Sequence, residues 1–82
     1  MHYTPLDSKI IVLGARDREE VNAEGKKLIL IPLDGSRVFI QCLEKEKVLA
    51  NHTLACPTQI TGHVRLTNDT SQLITIKVIF AD

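Results

Sequence analysis

The chain has 82 residues, and its ten basic side chains balance its ten acidic ones, which gives a formal net charge of zero at pH 7. A chain of this length forms one domain, and its 44% of apolar residues argue against disorder. The neutral balance excludes a global attraction to nucleic acid or to an anionic membrane. We therefore expect a single β-rich domain over residues 1–82, with little charge repulsion between copies.

The N-terminal residues Met1 to Pro5 contain neither the basic nor the apolar stretch of a secretory signal. We therefore expect a cytoplasmic protein. In that reducing compartment Cys42 and Cys56 would remain free thiols, and we expect both to be buried as small apolar side chains. No apolar run approaches the roughly 18 residues that are needed to cross a bilayer.

The first predicted strand covers Lys9 to Leu13 and contains the continuous apolar run Ile10–Leu13, closed by Gly14. Such a run is typical of a strand that is buried on both faces. The next segment, residues 15–24, is rich in charge, and Val21 is its only large apolar side chain. Because a helix without an apolar stripe has nothing to pack on a core, we expect a charged loop or a short helix here.

A β-hairpin is predicted in the middle of the chain. Asp34-Gly35 separates the apolar runs Lys26–Leu33 and Ser36–Leu43, and this pair favours a type I′ turn because both of its residues tolerate positive φ. Residues 44–47 then form a charged turn into a further strand, which ends at Cys56 before Pro57.

The clearest strands lie in the last third of the chain. Ile60–Leu66 and Ile74–Phe80 alternate apolar and polar side chains, so each places one face on a core. Residues 67–71 link them. In total we expect an all-β fold of about six mostly antiparallel strands, either a small barrel or a sandwich, and leave the strand order open.

Two sets of residue types are those of a metal site or a catalytic site, and neither set has the spacing of a known site. Tetrahedral zinc uses cysteine and histidine, but ligands usually come in closely spaced pairs, which this chain lacks. A cysteine–histidine nucleophile is the second arrangement considered. The candidate residues for both are Cys42, His52, Cys56 and His63. Since no catalytic motif is present, we expect no enzyme activity, no catalytic or metal site and no cofactor.

Nucleic-acid binding is the alternative function, because small β-barrels often bind single strands through basic grooves and aromatic side chains. Of the three aromatic residues, Phe39 and Phe80 are expected in the core, which leaves Tyr3. Cations on one sheet face would supply the groove: Lys26, Lys27, Arg37, Arg65 and Lys77.

The favoured function is a protein-interaction or self-assembly module. The last strand is apolar on its core face, yet its other face also carries apolar residues, and both faces of Leu28–Ile31 are apolar. A domain this small has little chain with which to cover two faces, so a protein partner or a second copy is expected there. The candidate contact residues are Leu73, Thr75, Lys77 and Ile79, with residues 15–24 as a secondary contact. Alternatively, the N-terminal segment with Tyr3, Pro5 and Leu6 covers such a face.

Overall fold

Six β-strands form the computed structural model, which describes residues 5–45 and 47–82, with side chains from Asp7 onward. Outside that part lie Tyr3 and the side chains of Pro5, Leu6 and Glu46. The alternative in which the N-terminal segment covers a sheet face therefore also lies outside the described residues. The strands are β1 (Pro5–Leu13), β2 (Arg18–Pro32), β3 (Val38–Glu44), β4 (Lys47–Leu54), β5 (Thr58–Thr67) and β6 (Ile74–Ala81). The predicted all-β class and the number of strands are confirmed.

All six strands belong to one antiparallel sheet in the order β1-β6-β2-β5-β3-β4. The edges are therefore β1 and β4, and the C-terminal strand β6 lies inside the sheet. In the described part of the chain, β3 and β4 are the one pair of sequence neighbours that also pair in space. No helix in residues 5–45 and 47–82 is long and apolar enough to cross a membrane.

A bulge in β2 divides the sheet into two halves. Asn22 pairs with His63, but the next pair is Lys27 with Thr61, so five steps along β2 match two steps along β5. Before the bulge β2 pairs with β5, which continues to β3 and β4; after it, β2 also pairs with β6, which continues to β1. The sheet is thus open and folded over on itself. Its shortest dimension of 17 Å fits two layers about 10 Å apart.

The inner faces of both halves share one core. Residues from every strand are buried in a single cluster, and each large apolar side chain buried there contributes about 1.5–3 kcal/mol. The cluster contains Ile11, Leu13, Val21, Ala23, Leu28, Leu30, Val38, Ile40, Leu54, Val64, Leu66, Ile74, Ile76 and Val78. The predicted core face of the last strand is confirmed, with Phe80 packed against the cluster. Because both inner faces meet at this core, the two outer faces point away from each other.

Two sequence-based predictions about the first third of the chain are wrong. Segment 15–24 is not the predicted charged loop or short helix, because residues 18–24 are part of the strand β2. Val21 and Ala23 are buried at the strand period of two, and the polar residues that alternate with them, Glu20, Asn22 and Glu24, are exposed. The strand Lys9–Leu13 is buried on one face instead of two, since Ile10 and Val12 are each 54% exposed.

The predicted hairpin at Asp34-Gly35 is also wrong, although its turn is correct. Both residues have positive φ, 55° and 71°, and the Ser36 amide donates to the Leu33 carbonyl at 2.9 Å, as in a type I′ turn. The flanking strands β2 and β3 nevertheless do not pair, because β5 lies between them. The link 67–71 likewise joins strands that are not neighbours, whereas the charged turn 44–47 does close the β3–β4 hairpin.

A buried asparagine holds the link between β5 and β6 in place. The Asn68 side-chain amide lies within donating distance of the carbonyls of Leu13, Gly14 and Gln72, at 3.1, 2.9 and 2.6 Å. Its side-chain oxygen accepts from the amide and the hydroxyl of Thr70. Since Asn68 is fully buried, these bonds tie the end of β1 to the start of β6.

Candidate interaction surface

The outer face of β1, β6 and the second part of β2 is apolar, and we call it the isoleucine face. Directly paired residues share a face of a sheet, so the strand register identifies its members. Lys77 of β6 lies between Ile10 of β1 and Ile31 of β2. Ile79 lies between Ser8 and Ile29, and Thr75 lies beside Val12. The apolar members are Ile10, Val12, Ile29, Ile31 and Ile79.

Exposure on the isoleucine face is greatest at the sheet edge. Ile10 and Val12 belong to the edge strand β1 and are more than half exposed, whereas Ile29, Ile31 and Ile79 are half-buried by neighbouring strands. Scattered apolar side chains on a surface are ordinary, but a contiguous group across three strands marks an interaction site. Edge strands are usually protected by charge, proline or a bulge, and the Ile10–Leu13 part of β1 has none of these.

Lys77 is the charged residue in the middle of the isoleucine face, and Lys27 lies farther along β2 on the same outer side. Lys77 is half-buried between isoleucines on both sides. Among the described residues no carboxylate lies within ion-pair distance of its ammonium group. Its aliphatic stem therefore extends the apolar surface while the charge remains at the top of the face.

The outer face of the other half is different, because a row of polar side chains crosses it. The Arg65 guanidinium of β5 donates to the Gln41 side-chain oxygen of β3 at 3.2 Å and contacts the Glu20 carboxylate of β2 at 3.5 Å. Gln41 in turn donates to Asn51 of β4 at 3.2 Å. His63 adds a 2.9 Å contact from its Nε2 atom to the second Glu20 oxygen. These contacts join four neighbouring strands.

The side chains of the two outer faces can be compared with each other within the same sheet. Both cover the same core in the same sheet, and neither contributes to the core cluster. The polar row shows that this fold accepts polar side chains at outward positions, so packing does not require isoleucine there. The polar half also has apolar exceptions. Val48 and Leu49 of the edge strand β4 are 44% and 63% exposed, and Phe39 pairs with Thr53 and Thr67 on the outer face, so its predicted place in the core is wrong.

Three of the four predicted contact residues lie together. Thr75, Lys77 and Ile79 follow one another on the outer side of β6 in the middle of the isoleucine face. Leu73 lies apart, because it precedes β6 and lines a cleft of about 270 Å³ beside Arg37. Sequence reasoning missed Ile10 and Val12, since a continuous apolar run does not reveal that its strand lies at an edge.

The four thiol and imidazole residues occupy separate environments. Cys42 packs against the core, while Cys56 lies exposed in the β4–β5 link, so its predicted burial is wrong. His52 is exposed on the edge strand β4, and His63 contacts Glu20 on β5. No group of three or more potential metal ligands occurs in the part of the chain that the structure describes.

The five basic residues predicted to bind nucleic acid lie on different parts of the sheet and its links. Lys27 and Lys77 lie on the outer side of the β2–β6 pair, and Lys26 lies within the β2 bulge. Arg65 belongs to the polar row of the other half, where Glu20 and Gln41 engage its guanidinium. Arg37 lies in the β2–β3 link. The structure therefore does not bring these five residues onto one face.

Comparison with known proteins identifies the fold. No family model matches the sequence, and no curated protein matches it. Among solved structures, the cumin domain of Drosophila melanogaster CENP-C is similar, with a TM-score of 0.68 and 13% sequence identity. The likeness covers 92% of this chain and 58% of the CENP-C chain, so this chain spans a little over half the length of that structure. At this identity the likeness shows the fold, an all-β domain of the kind seen in the cumin domain.

Proposed function

We propose that this chain is a non-enzymatic protein-interaction module and that the isoleucine face is its contact surface. The observation that carries the proposal is the contrast between the two outer faces. One is crossed by a hydrogen-bonded polar row, while the other presents five aliphatic side chains that the core does not need. An apolar surface that a fold does not require is explained by a partner that covers it.

The shape of the surface also favours a protein as the partner. Sites for small molecules are concave and enclose most of the ligand, whereas the isoleucine face is the outer side of a sheet. The structural likeness to the CENP-C cumin domain is compatible with such a module. Self-assembly is the second form of this function, and a cytoplasmic setting remains a prediction.

The proposal predicts that one charge on the isoleucine face abolishes binding. Ile10→Asp places a carboxylate where the native side chain is 54% exposed, so the fold should remain while the apolar contact is lost. A phage-displayed library of random peptides is selected on wild-type protein and on the variant. We expect peptides that bind the wild type and fail to bind Ile10→Asp.

Asn51→Asp is the matched control, because it adds the same charge on the polar outer face. Circular dichroism verifies that both variants are folded. Light scattering over a concentration series measures the mass of each protein in solution, and an assembly that dissociates in Ile10→Asp would support the self-assembly form. Two negative results together would show that the proposal is wrong. The first is that Ile10→Asp does not change the assembly of the protein, and the second is that no selected peptide needs Ile10 for binding.

A further inference from the structure

We infer that the partner of the isoleucine face is a different protein, which presents aliphatic side chains around a carboxylate, and is not a second copy of this chain. The inference rests on the proposed function, since it assumes that this face is a binding surface. It is carried by the position and charge of Lys77.

Lys77 lies at the centre of the face. Its cross-strand neighbours are Ile10 and Ile31, and its neighbours along β6 on the same side are Thr75 and Ile79. Any partner that covers these side chains must also cover the ammonium group. Taking a charged group out of water is costly unless an opposite charge or hydrogen-bond acceptors replace the water. The described residues supply no carboxylate to Lys77, so the partner has to supply the compensating group, and a carboxylate provides both the opposite charge and the hydrogen-bond acceptors.

A second copy does not meet this requirement. In a symmetric pair the same patch meets itself, so each Lys77 would face the outer positions of the other copy. Those positions hold aliphatic, hydroxyl and ammonium groups and no carboxylate. They are Ser8, Ile10, Val12, Lys27, Ile29, Ile31, Thr75, Lys77 and Ile79. Self-association through this face would therefore bury two ammonium groups without partners or bring them together.

The size of the face limits what the partner inserts. Strands lie about 4.8 Å apart, so the distance from β1 across β6 to β2 is about 10 Å. Along β6 the distance from Thr75 to Ile79 is about 13 Å at the usual rise for each residue. A single helix, about 10 Å in diameter with its side chains, covers such an area. We therefore expect an amphipathic segment whose apolar side carries one aspartate or glutamate.

Charge reversal tests the inference. The random peptide library is selected in parallel on wild type, Lys77→Glu and Lys77→Met, the last of which keeps an unbranched apolar side chain without the charge. We expect aspartate or glutamate among aliphatic residues in peptides from wild type, and lysine or arginine from Lys77→Glu. Wild-type peptides should bind Lys77→Glu at least about tenfold more weakly, because a buried charge pair is replaced by repulsion.

The mass in solution provides an independent measurement. We expect wild type to show no assembly that depends on Ile10, and Lys77→Met to self-associate more strongly than wild type, because the unpaired ammonium no longer opposes contact between copies. A wild-type dimer that dissociates in Ile10→Asp would overturn the inference and leave the proposed function standing.

Peptide selection separates the remaining outcomes. Suppose that peptide binding depends on Ile10, but that peptides selected on wild type and on Lys77→Glu carry the same charged residues. This result would overturn the inference and leave the proposed function standing. If neither peptide binding nor assembly depends on Ile10, the proposed function fails, and the inference fails with it.

Discussion

Asn68 shows how one residue can organise two distant links of this chain. Its side chain is buried and engages both the end of β1, at Leu13 and Gly14, and Gln72 before β6, which are more than 50 positions apart in sequence. Its backbone amide also donates to the Asp17 carbonyl at 2.8 Å. A buried side chain with this many bonds is costly to remove, because the groups it satisfies lose their partners in a place that water does not reach.

Replacement of Asn68 should therefore destabilise the fold. We expect Asn68→Ala to lower the free energy of unfolding by about 2–4 kcal/mol, measured by urea denaturation with circular dichroism. Asn68→Asp should cost at least as much, because a carboxylate then faces three carbonyl oxygens. Asn51→Ala is the control, since Asn51 is exposed and its loss should cost about 0.5 kcal/mol. Equal stability of the Asn68 and Asn51 variants would contradict this assignment.

At the scale of the strand, the bulge in β2 decides which side chains face the core. Up to the start of the bulge the buried residues have odd numbers, Val21 before it and Ala23 as its first residue; after it they have even numbers, Leu28 and Leu30. The extra residues also let one strand serve both halves of the sheet. Gly62 lies on the opposite strand, with a φ of 92°. This φ lies in the region that side chains with a Cβ atom rarely adopt.

Gly62→Ala should lower the free energy of unfolding by about 1–2 kcal/mol, the cost of left-handed backbone for an L-residue. A Cβ atom at this position meets nothing within 4 Å, so the cost comes from the backbone and not from a clash. Gly14→Ala is the matched control, because it also has free space but no positive φ, and we expect it to be neutral or slightly stabilising. Thermal unfolding of the two variants, compared with wild type, checks the difference. An equal effect of both substitutions would refute it.

Two local patterns in the sequence predicted local structure correctly. The period-two alternation of the last strand gave its core face, and Asp34-Gly35 gave a turn with two positive φ angles. Pairing was not predictable in the same way. A turn specifies a change of direction, but whether its strands pair depends on β5, which is distant in sequence and lies between them. The full length of β2 was not predicted because of the bulge. The alternation of buried and exposed residues that begins at Val21 changes phase before Leu28.

The candidate surface was predictable to a similar extent. Lys77 and Ile79 followed from alternation within β6, since one strand is enough to define its outer side. The contribution of Ile10 and Val12 depends on β1 being an edge strand with an uncovered outer face, and that depends on the order of all six strands. Leu73 was included on periodicity alone, and its place before the start of β6 removes it from the sheet.

For the molecule as a whole, most strand pairs join distant parts of the chain, and this should make folding slow. Apart from the β3–β4 hairpin, each pair requires the closure of a long loop before its contacts form. We expect refolding on the order of milliseconds to seconds, measured by stopped-flow circular dichroism after dilution from urea. Relaxation within microseconds would contradict this expectation.

The position of β6 inside the sheet, beside the edge strand β1, also affects how the protein folds during synthesis. Strand β1 pairs with β6 in the described part of the chain, yet 60 residues separate Leu13 from Ile74. A ribosome therefore releases β1 long before its partner exists, and the apolar residues Ile10–Leu13 leave the exit tunnel without a strand to join. Until β6 emerges, they are an unpaired apolar segment of the kind that makes incompletely folded chains prone to aggregation.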